Sequence, residues 1–377
     1  MRTRWLVGLL SFALGTAACA DLLGIDTYVY VAGADASTDG AMDAGAVDGD
    51  GGPTPDAAPP PCVPCTGPDA AVCGLSCDED GPTLLAQDPA RLYWVVNGGV
   101  PAAALRSVGK VGGPPAQKLT DVQGPVVGLT QTGGYVVWTT GGSVSAYVLD
   151  AGTTTPVLTG VTQVRALAVS PPQASTPQAL FWSVSTADGG IRRCTLPTCA
   201  SSQLAQVDAQ ETPDGLVVGF DTAGSTPYGY WVSKGPPSTP TLHGARVVGG
   251  FVLATYAQNQ NLTPVLAVDV SDSTIAYFTT STAPGTRVTR VGQSDVYTTA
   301  GLVRAMVAQG NGLWLADADL STPKNGKLVS VTSPPGTIRE IATGQDSPEA
   351  VVVDATYVYW TVRGTAGARG KVMRAGR

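Results

Sequence analysis

The sequence predicts an all-β fold, a seven-bladed β-propeller of four-stranded antiparallel blades. Three observations support this expectation. Tryptophans recur at a period of about 44 residues, apolar and polar residues alternate with period two between glycine turns, and no window has sustained helical periodicity. The 47 glycines and 29 prolines suit a chain with many turns and few long helices. Six or eight blades are the alternatives.

Tryptophans mark the repeat beyond the N-terminal segment. Each tryptophan follows an aromatic or large apolar residue, as in Tyr359-Trp360. One repeat has Tyr277-Phe278 in place of a tryptophan pair. With Phe278 included, the successive intervals are 44, 44, 49, 47, 36 and 46 residues. Units of this length with four strand-like segments are typical of propeller blades, which bury their faces by stacking on neighbours. We therefore expect the aromatic pairs to pack between blades. The tryptophans are Trp94, Trp138, Trp182, Trp231, Trp314 and Trp360.

The N-terminal part of the chain divides into four predicted segments before the propeller at residues 81–377. Residues 1–18 have the positive start, short apolar run and small residues of a secretory signal. The next residue, Cys19, ends a stretch that resembles a bacterial lipobox, so residues 19–32 are expected to be a lipid-anchored segment; ordinary signal cleavage is the alternative. Residues 33–60 are rich in Gly, Ala, Asp and Pro and predict a disordered tether. Residues 61–80 are cysteine-rich.

Cysteine usage indicates an oxidising compartment. The chain has seven cysteines, and lipidation of Cys19 leaves six. In an exported chain this even number predicts three disulfides. Cys194 and Cys199 are expected to staple one hairpin. The other four have CxxC and CxxxC spacings, for which zinc is the alternative, and their pairing stays open. These four are Cys62, Cys65, Cys73 and Cys77.

The cysteine-rich segment is also the candidate for closing the ring. The last repeat supplies only three strands before Arg377. Aligning Asp354 with Asp88 superimposes its missing fourth strand on residues 73–78. Because an unpaired edge would otherwise remain, we expect the stretch from Cys73 to Cys77 to join the last blade.

Several classes of function find no support in the residues. His243 is the single histidine, so multi-histidine metal sites are excluded. The chain has no P-loop, no G-x-S-x-G elbow and no dinucleotide-binding glycine motif. We therefore expect no enzyme, no cofactor and no metal. From Asp78 to Arg377, 20 basic residues balance 20 acidic ones without a basic cluster, which argues against a nucleic-acid partner.

Polar loop residues remain as the candidate ligand face. Propellers usually bind at the face that carries the strand 2–3 and strand 4–1 loops, and loops on a rigid scaffold often carry function. The candidates on that face are Asp208, Glu211, Asp214, Asn259, Asn261, Asp317, Asp319, Lys324, Asn325, Arg363 and Arg369. His243, in a predicted third strand, is expected to be a packed or surface residue.

The repeats resemble YWTD and NHL-type propellers, through Tyr359–Thr361 preceded by Val353-Asp354 and through Tyr93-Trp94 with Asp88. With its signal, tether and cysteine segment, the chain resembles uncharacterised myxobacterial-type surface lipoproteins. We expect an exported monomer, held at the bacterial outer membrane or cell surface by its lipid anchor alone. The predicted function is non-catalytic binding or scaffolding of a protein or glycan partner. A hydrolase or lyase using carboxylates or a metal at the channel mouth is the alternative.

Overall fold

A computed structural model describes residues 62–66 and 72–377, apart from 97–101, 113, 171–178, 186–189, 197–198, 200–201, 207–211, 221–226, 236–237, 247–253, 260, 270–271, 311, 320, 333–335 and 366–368. The predicted signal, Cys19 and the tether lie outside these residues. The described part contains 28 strands and one short 3-10 turn, Pro323–Asn325. Among the described residues, no helix is long and apolar enough to cross a membrane.

The strands are numbered along the chain. They are β1 (Val72–Glu79), β2 (Pro82–Gln87), β3 (Arg91–Val96), β4 (Ala102–Gly109), β5 (Gln117–Gln123), β6 (Gly128–Thr132), β7 (Tyr135–Thr139), β8 (Val144–Val148), β9 (Thr153–Leu158), β10 (Val164–Val169), β11 (Ala179–Val184), β12 (Gly190–Thr195), β13 (Ser202–Gln206), β14 (Thr212–Phe220), β15 (Pro227–Gly235), β16 (Ser238–Arg246), β17 (Ala254–Gln258), β18 (Leu262–Asp269), β19 (Asp272–Thr282), β20 (Gly285–Arg290), β21 (Asp295–Thr299), β22 (Leu302–Gln309), β23 (Gly312–Ala318), β24 (Gly326–Thr332), β25 (Ile338–Gln345), β26 (Pro348–Val353), β27 (Tyr357–Val362) and β28 (Gly370–Gly376).

The described strands form seven four-stranded antiparallel blades. Blades 1 to 6 each use four consecutive strands, starting with β2, β6, β10, β14, β18 and β22. Blades 5 and 6 share one eight-stranded sheet because a single parallel bridge, Asp269 to Ala308, joins their first strands. Blade 7 consists of β26, β27, β28 and the N-terminal strand β1. The first strand of each blade contacts the first strand of the next, and β26 contacts β2, so the blades form a closed ring.

Two columns of large side chains fill the boundaries between blades. On each second strand, alternate residues point to opposite faces of the sheet. One residue faces the preceding blade, as Trp94 of blade 1 packs with Tyr359 and Val372 of blade 7. Its neighbour Tyr93 faces blade 2 and packs with Trp138. Trp94, Tyr93 and Tyr359 are at most 1% exposed. The expected role of the aromatic pairs in packing between blades is confirmed.

We call the residues that face the preceding blade the tryptophan column. In blade order its members are Trp94, Trp138, Trp182, Trp231, Phe278, Leu315 and Trp360. Each burial removes on the order of 150–250 Å² of side chain from water, an upper bound of about 4–6 kcal/mol for each aromatic residue. The seven boundaries therefore make up the core.

Blade 6 departs from the pattern that the tryptophan spacing predicts. The tryptophan spacing predicts Trp314 in the tryptophan column, but Trp314 packs with Trp360 of the following blade, and Leu315 takes the column position. The cause is a shorter turn: Gln309 pairs with Gly312, whereas in blade 7 Val353 pairs with Val358. A shift of one residue moves a side chain to the other face of a strand.

Strand β1 occupies the position that the alignment of Asp88 with Asp354 indicates. It pairs antiparallel with β28, with Cys73 opposite Arg374 and Glu79 opposite Gly370. The same offset of 266 residues separates Gln87 from Val353, whose carbonyl oxygen accepts a hydrogen bond from the Gln87 side chain at 2.7 Å. The two ends of the described chain are therefore joined in one sheet.

A buried carboxylate ties β1 to blade 1. Glu79 is 1% exposed and accepts hydrogen bonds from the Ser76 hydroxyl and, at 3.3 Å, from Trp94 Nε1. Arg106 Nη1 lies 3.3 Å from the same Glu79 oxygen, Oε2. Buried charges are tolerated where they are paired and hydrogen-bonded, and Glu79 meets both conditions.

Two disulfides fasten the residues before β1 to that strand. They join Cys62 to Cys77 and Cys65 to Cys73, which settles the pairing that the sequence left open and replaces the zinc alternative. Between them, the Gly74 amide donates to the Val63 carbonyl oxygen at 2.7 Å. The third disulfide, Cys194–Cys199, lies at the end of β12 in blade 3. The prediction of three disulfides is confirmed.

Charged groups also link blades 7 and 1 near the first turn of blade 7. Lys110 is 5% exposed, and its Nζ lies 3.0 Å from Asp354 Oδ2 and 5.2 Å from the centre of the Tyr359 ring. Burial alone would raise the pKa of Asp354, but hydrogen bonds from the Thr356 and Tyr357 amides, Lys110 and Tyr359 outweigh it, so the pKa is lowered. The stability that these bonds contribute is present above the ordinary carboxyl pKa and is lost as the pH falls through the lowered one.

Replacing Glu79 tests this closure. We expect Glu79→Ala to lower the free energy of unfolding by about 2–3 kcal/mol, because a buried, charge-assisted hydrogen-bond network loses its acceptor. Lys118→Ala is the control, since it breaks the exposed Lys118–Asp121 pair and should cost under about 1 kcal/mol. Denaturant unfolding measures both. Equal small losses would contradict the role given to Glu79.

Candidate functional site

The residues predicted for the ligand face fall into separate groups. Asp208 and Glu211 lie outside the described residues. Asp214 is half-buried within β14, where its Oδ1 accepts from the Gly215 amide at 3.0 Å. In the turn before β18, Asn259 Oδ1 accepts from the Asn261 amide at 2.9 Å. These contacts stabilise the local backbone and do not by themselves make a ligand site.

Asp317 is buried between two blades. It lies in β23 of blade 6, is 2% exposed, and accepts a hydrogen bond at 2.6 Å from the hydroxyl of Tyr297 in β21 of blade 5. Burial, followed by the bond to Asp317, raises the pKa of Tyr297 above its ordinary value. The hydroxyl therefore stays protonated and keeps donating, and Asp317 holds two blades together.

The remaining blade 6 candidates belong to one loop. Asp319 Oδ1 accepts from the Ser321 hydroxyl and amide at 2.7 and 2.8 Å and from the Thr322 amide at 3.1 Å. These bonds, the Ser321 hydroxyl first, lower the pKa of Asp319. Lys324 and Asn325 follow in the 3-10 turn. An Asp that accepts from its own loop in this way is a turn-forming residue.

Blade 7 contributes two arginines. Arg363 Nη1 lies 3.8 Å from Glu349 Oε1, at the limit of an ion pair, and Arg369 is exposed. Among the described residues, no group of three or more His, Cys, Asp or Glu could hold a metal ion. His243 lies in the third strand of blade 4, is 5% exposed, and its ring centre is 5.8 Å from that of Trp231. It is a packed residue.

A cluster of tyrosines at the boundary of blades 4 and 5 is the most distinctive polar and aromatic surface. We call Tyr228, Tyr230 and Tyr256 the tyrosine shelf. The ring centres are 5.1 Å apart for Tyr228 and Tyr230, and 5.3 Å apart for Tyr230 and Tyr256. Gly244 lies beneath them, where a Cβ would come within 2.6 Å of Tyr256 and 2.9 Å of Tyr228. The glycine lets the rings lie close to the sheet.

Hydrogen bonds within the tyrosine shelf and to blade 5 hold the rings in place. The hydroxyls of Tyr228 and Tyr256 lie 2.7 Å apart, and the Tyr230 hydroxyl donates to the Ser273 carbonyl oxygen of blade 5 at 2.7 Å. Burial, followed by the neighbouring tyrosines, raises the pKa values of Tyr228 and Tyr230, so these hydroxyls remain neutral. Tyr256 is 40% exposed, and exposed Arg246 pairs with Tyr228 across the strands.

Sequence reasoning missed this shelf. The Tyr228-Gly-Tyr230 spacing places two tyrosines on one face of a strand, which is a signal that period-two alternation could have found. Tyr256 could not have been placed, because it sits at an irregularity in β17, where the partners of Leu242 and His243 skip from Ala257 to Thr255. Only the structure brings the three rings together.

Comparison with known proteins agrees on the architecture. No family model and no curated protein matches the chain. It is similar to the Dos1 propeller (TM-score 0.53, 11% identity, 81% of this chain and 94% of that one). It is also similar to an oligogalacturonate lyase from Vibrio parahaemolyticus (0.54, 10%, 81% and 93%) and to a chain of the mitotic checkpoint complex (0.55, 12%, 84% and 97%). The chain is a β-propeller. At these identities the likeness shows the fold alone.

One sequence-based expectation is corrected here. The lack of known motifs led to the expectation that this chain is no enzyme, but a lyase is among the propellers similar to it. A propeller backbone of this kind serves in an enzyme and in a multiprotein complex. Missing motifs therefore do not exclude catalysis. The resemblance to YWTD and NHL-type propellers stays a prediction.

The different roles of Asp317 and Asp319 can be tested together. We expect Asp317→Ala to lower the free energy of unfolding by about 1–3 kcal/mol, because the buried Tyr297 hydroxyl loses its acceptor. Asp319→Ala should cost much less, because its loop is accessible to water. A double-mutant cycle of Asp317→Ala with Tyr297→Phe should show coupling. Independent effects in that cycle would contradict the structural role of Asp317.

Proposed function

We propose that this chain is a binding or scaffolding propeller displayed at the bacterial cell envelope, and that the tyrosine shelf contacts its protein or glycan partner. The observation that supports this is the paired hydroxyls of Tyr228 and Tyr256, held 2.7 Å apart on an exposed aromatic surface. Tyrosine offers a large, rigid contact area with a polar tip and loses little conformational entropy on binding.

The chemistry around the shelf suits recognition. Tyrosine and arginine are enriched where partner binding is strongest, and Arg246 lies opposite Tyr228. Tyr230, anchored to Ser273, supports the exposed rings from beneath. A surface already fixed in its binding geometry loses less conformational entropy on association.

Display at the envelope rests on the sequence. Residues 1–18 are the predicted export signal, Cys19 is the predicted anchor, and residues 33–60 are the predicted tether. The three disulfides suit the oxidising compartment that such a route requires. The anchor would hold the propeller close to other envelope molecules and raise its effective concentration there.

Binding measurements on a shelf variant test the proposal. We expect the full chain to bind one of three immobilised probes: lipopolysaccharide, peptidoglycan fragments or detergent-solubilised outer-membrane proteins. The Tyr228→Ala/Tyr256→Ala double variant should bind that probe at least about 30-fold more weakly, the loss typical of central contact residues. Ile338→Ser, which removes a side chain 53% exposed on blade 6, should bind normally. Equal binding by all three proteins, or none by the full chain, would contradict the proposal.

A further inference from the structure

Indole N–H groups of the tryptophan column have acceptors at two boundaries of the ring. Trp94 Nε1 donates to Glu79, and Trp360 Nε1 donates to Gln345 Oε1 at 2.9 Å. Glu79 and Gln345 are the last residues of β1 and β25, the outer strands of the preceding blades. The end of the outer strand thus supplies the acceptor for the next blade's indole.

The boundary of blades 2 and 3 lacks this acceptor. Trp182 is fully buried, and within the described residues its Nε1 has no hydrogen-bond partner. A buried indole N–H usually has a partner, and leaving such a donor unsatisfied costs about 1–3 kcal/mol. This buried donor therefore needs an explanation.

Backbone conformation identifies the residue at the acceptor position. A residue of positive φ follows the acceptor by two positions: Gly81 (61°) after Glu79 and Ser347 (58°) after Gln345. In blade 3 the corresponding residue is Gln163 (56°). Its carbonyl oxygen accepts from the Ser185 amide at 3.1 Å, as that of Ser347 accepts from Arg363 at 2.9 Å. Counting back two positions places Val161 where Glu79 and Gln345 stand.

An arginine accompanies the unpartnered indole. Arg192 is opposite Trp182 across the strands, as Arg106 is opposite Trp94. In blade 1 this tryptophan–arginine pair holds the Glu79 carboxylate, with Trp94 Nε1 and Arg106 Nη1 each 3.3 Å from the same oxygen. The Nε atoms of both arginines are buried without a partner among the described residues, so the indole is the group that distinguishes the two boundaries.

We propose that Trp182 and Arg192 form a binding site for a carboxylate supplied by a ligand, at the boundary of blades 2 and 3. The ring shows how such a pair holds a carboxylate, since its own Glu79 is held this way. Arg192 is half-buried, so part of this residue is in contact with solvent. A guanidinium and an indole N–H together favour an anionic oxygen acceptor. The proposal does not depend on the tyrosine shelf.

The direct test follows indole N–H signals by NMR in the full chain labelled with ¹⁵N-tryptophan. Trp182→Phe and Trp94→Phe assign the two signals. We expect sodium acetate to shift the Trp182 signal saturably and to leave the Trp94 signal unchanged, because Glu79 already occupies that donor. Arg192→Gln should weaken acetate binding by at least about tenfold, the loss expected for a charge-assisted hydrogen bond.

Two further arms define the site and its ligand. Val161→Glu should supply an internal carboxylate, shift the Trp182 signal without acetate and abolish the response to acetate. Glucuronic acid and a dipeptide with a free carboxyl end distinguish a sugar acid from a peptide terminus. No response of Trp182 to any carboxylate, the same shift with sodium chloride, or unchanged acetate binding in Arg192→Gln would overturn the proposal. The Arg192→Gln result decides the matter even where Val161→Glu does not fold.

Discussion

The pairing of β1 with β28 is the contact on which the ring depends. Each blade is a local antiparallel sheet, but a blade buries its faces only against two neighbours. Blade 7 obtains its fourth strand from the N-terminal side of the ring. Loop-closure entropy grows slowly with chain length, so a contact this distant in sequence can be stable when Glu79 and Lys110 also link blades 7 and 1.

Packing between blades explains both the regularity of the repeat and its exceptions. Each boundary is filled by large side chains from two columns: the tryptophan column of one blade and the residues of the preceding blade that face it. The residue types in these columns vary from blade to blade. Two indole N–H groups of this core have acceptors within it, Trp94 with Glu79 and Trp360 with Gln345. Where Val161 replaces the acceptor, Trp182 keeps a donor for a group that the described chain does not supply.

The sequence carries much of this fold in readable form. The tryptophan spacing predicts the blades, and the shared offset of Asp88 and Asp354 locates the closing strand. It misplaces Trp314, because the face of a residue depends on turn length, which the spacing does not reveal. The cysteine pairing likewise needs the register of β1 against the preceding segment.

The candidate sites are harder to predict, because they join residues from different strands. Asp317 is a plausible ligand residue in sequence, yet the structure buries it against Tyr297. Tyr256 joins the tyrosine shelf through an irregularity of β17, and Trp182 differs from Trp94 through a residue of the preceding blade. Such juxtapositions leave no pattern along the chain. Function on a shared scaffold is therefore read from sites, and the fold alone does not identify it.

Thermal unfolding of two truncated proteins tests the closure of the ring most directly. One begins at Pro61 and retains β1; the other begins at Gly81 and lacks it. We expect the longer protein to melt at the temperature of the full chain, and the shorter one to melt at a lower temperature or to associate through the exposed edge of β28. If the shorter protein stays monomeric and melts with the full chain, β1 does not close the ring.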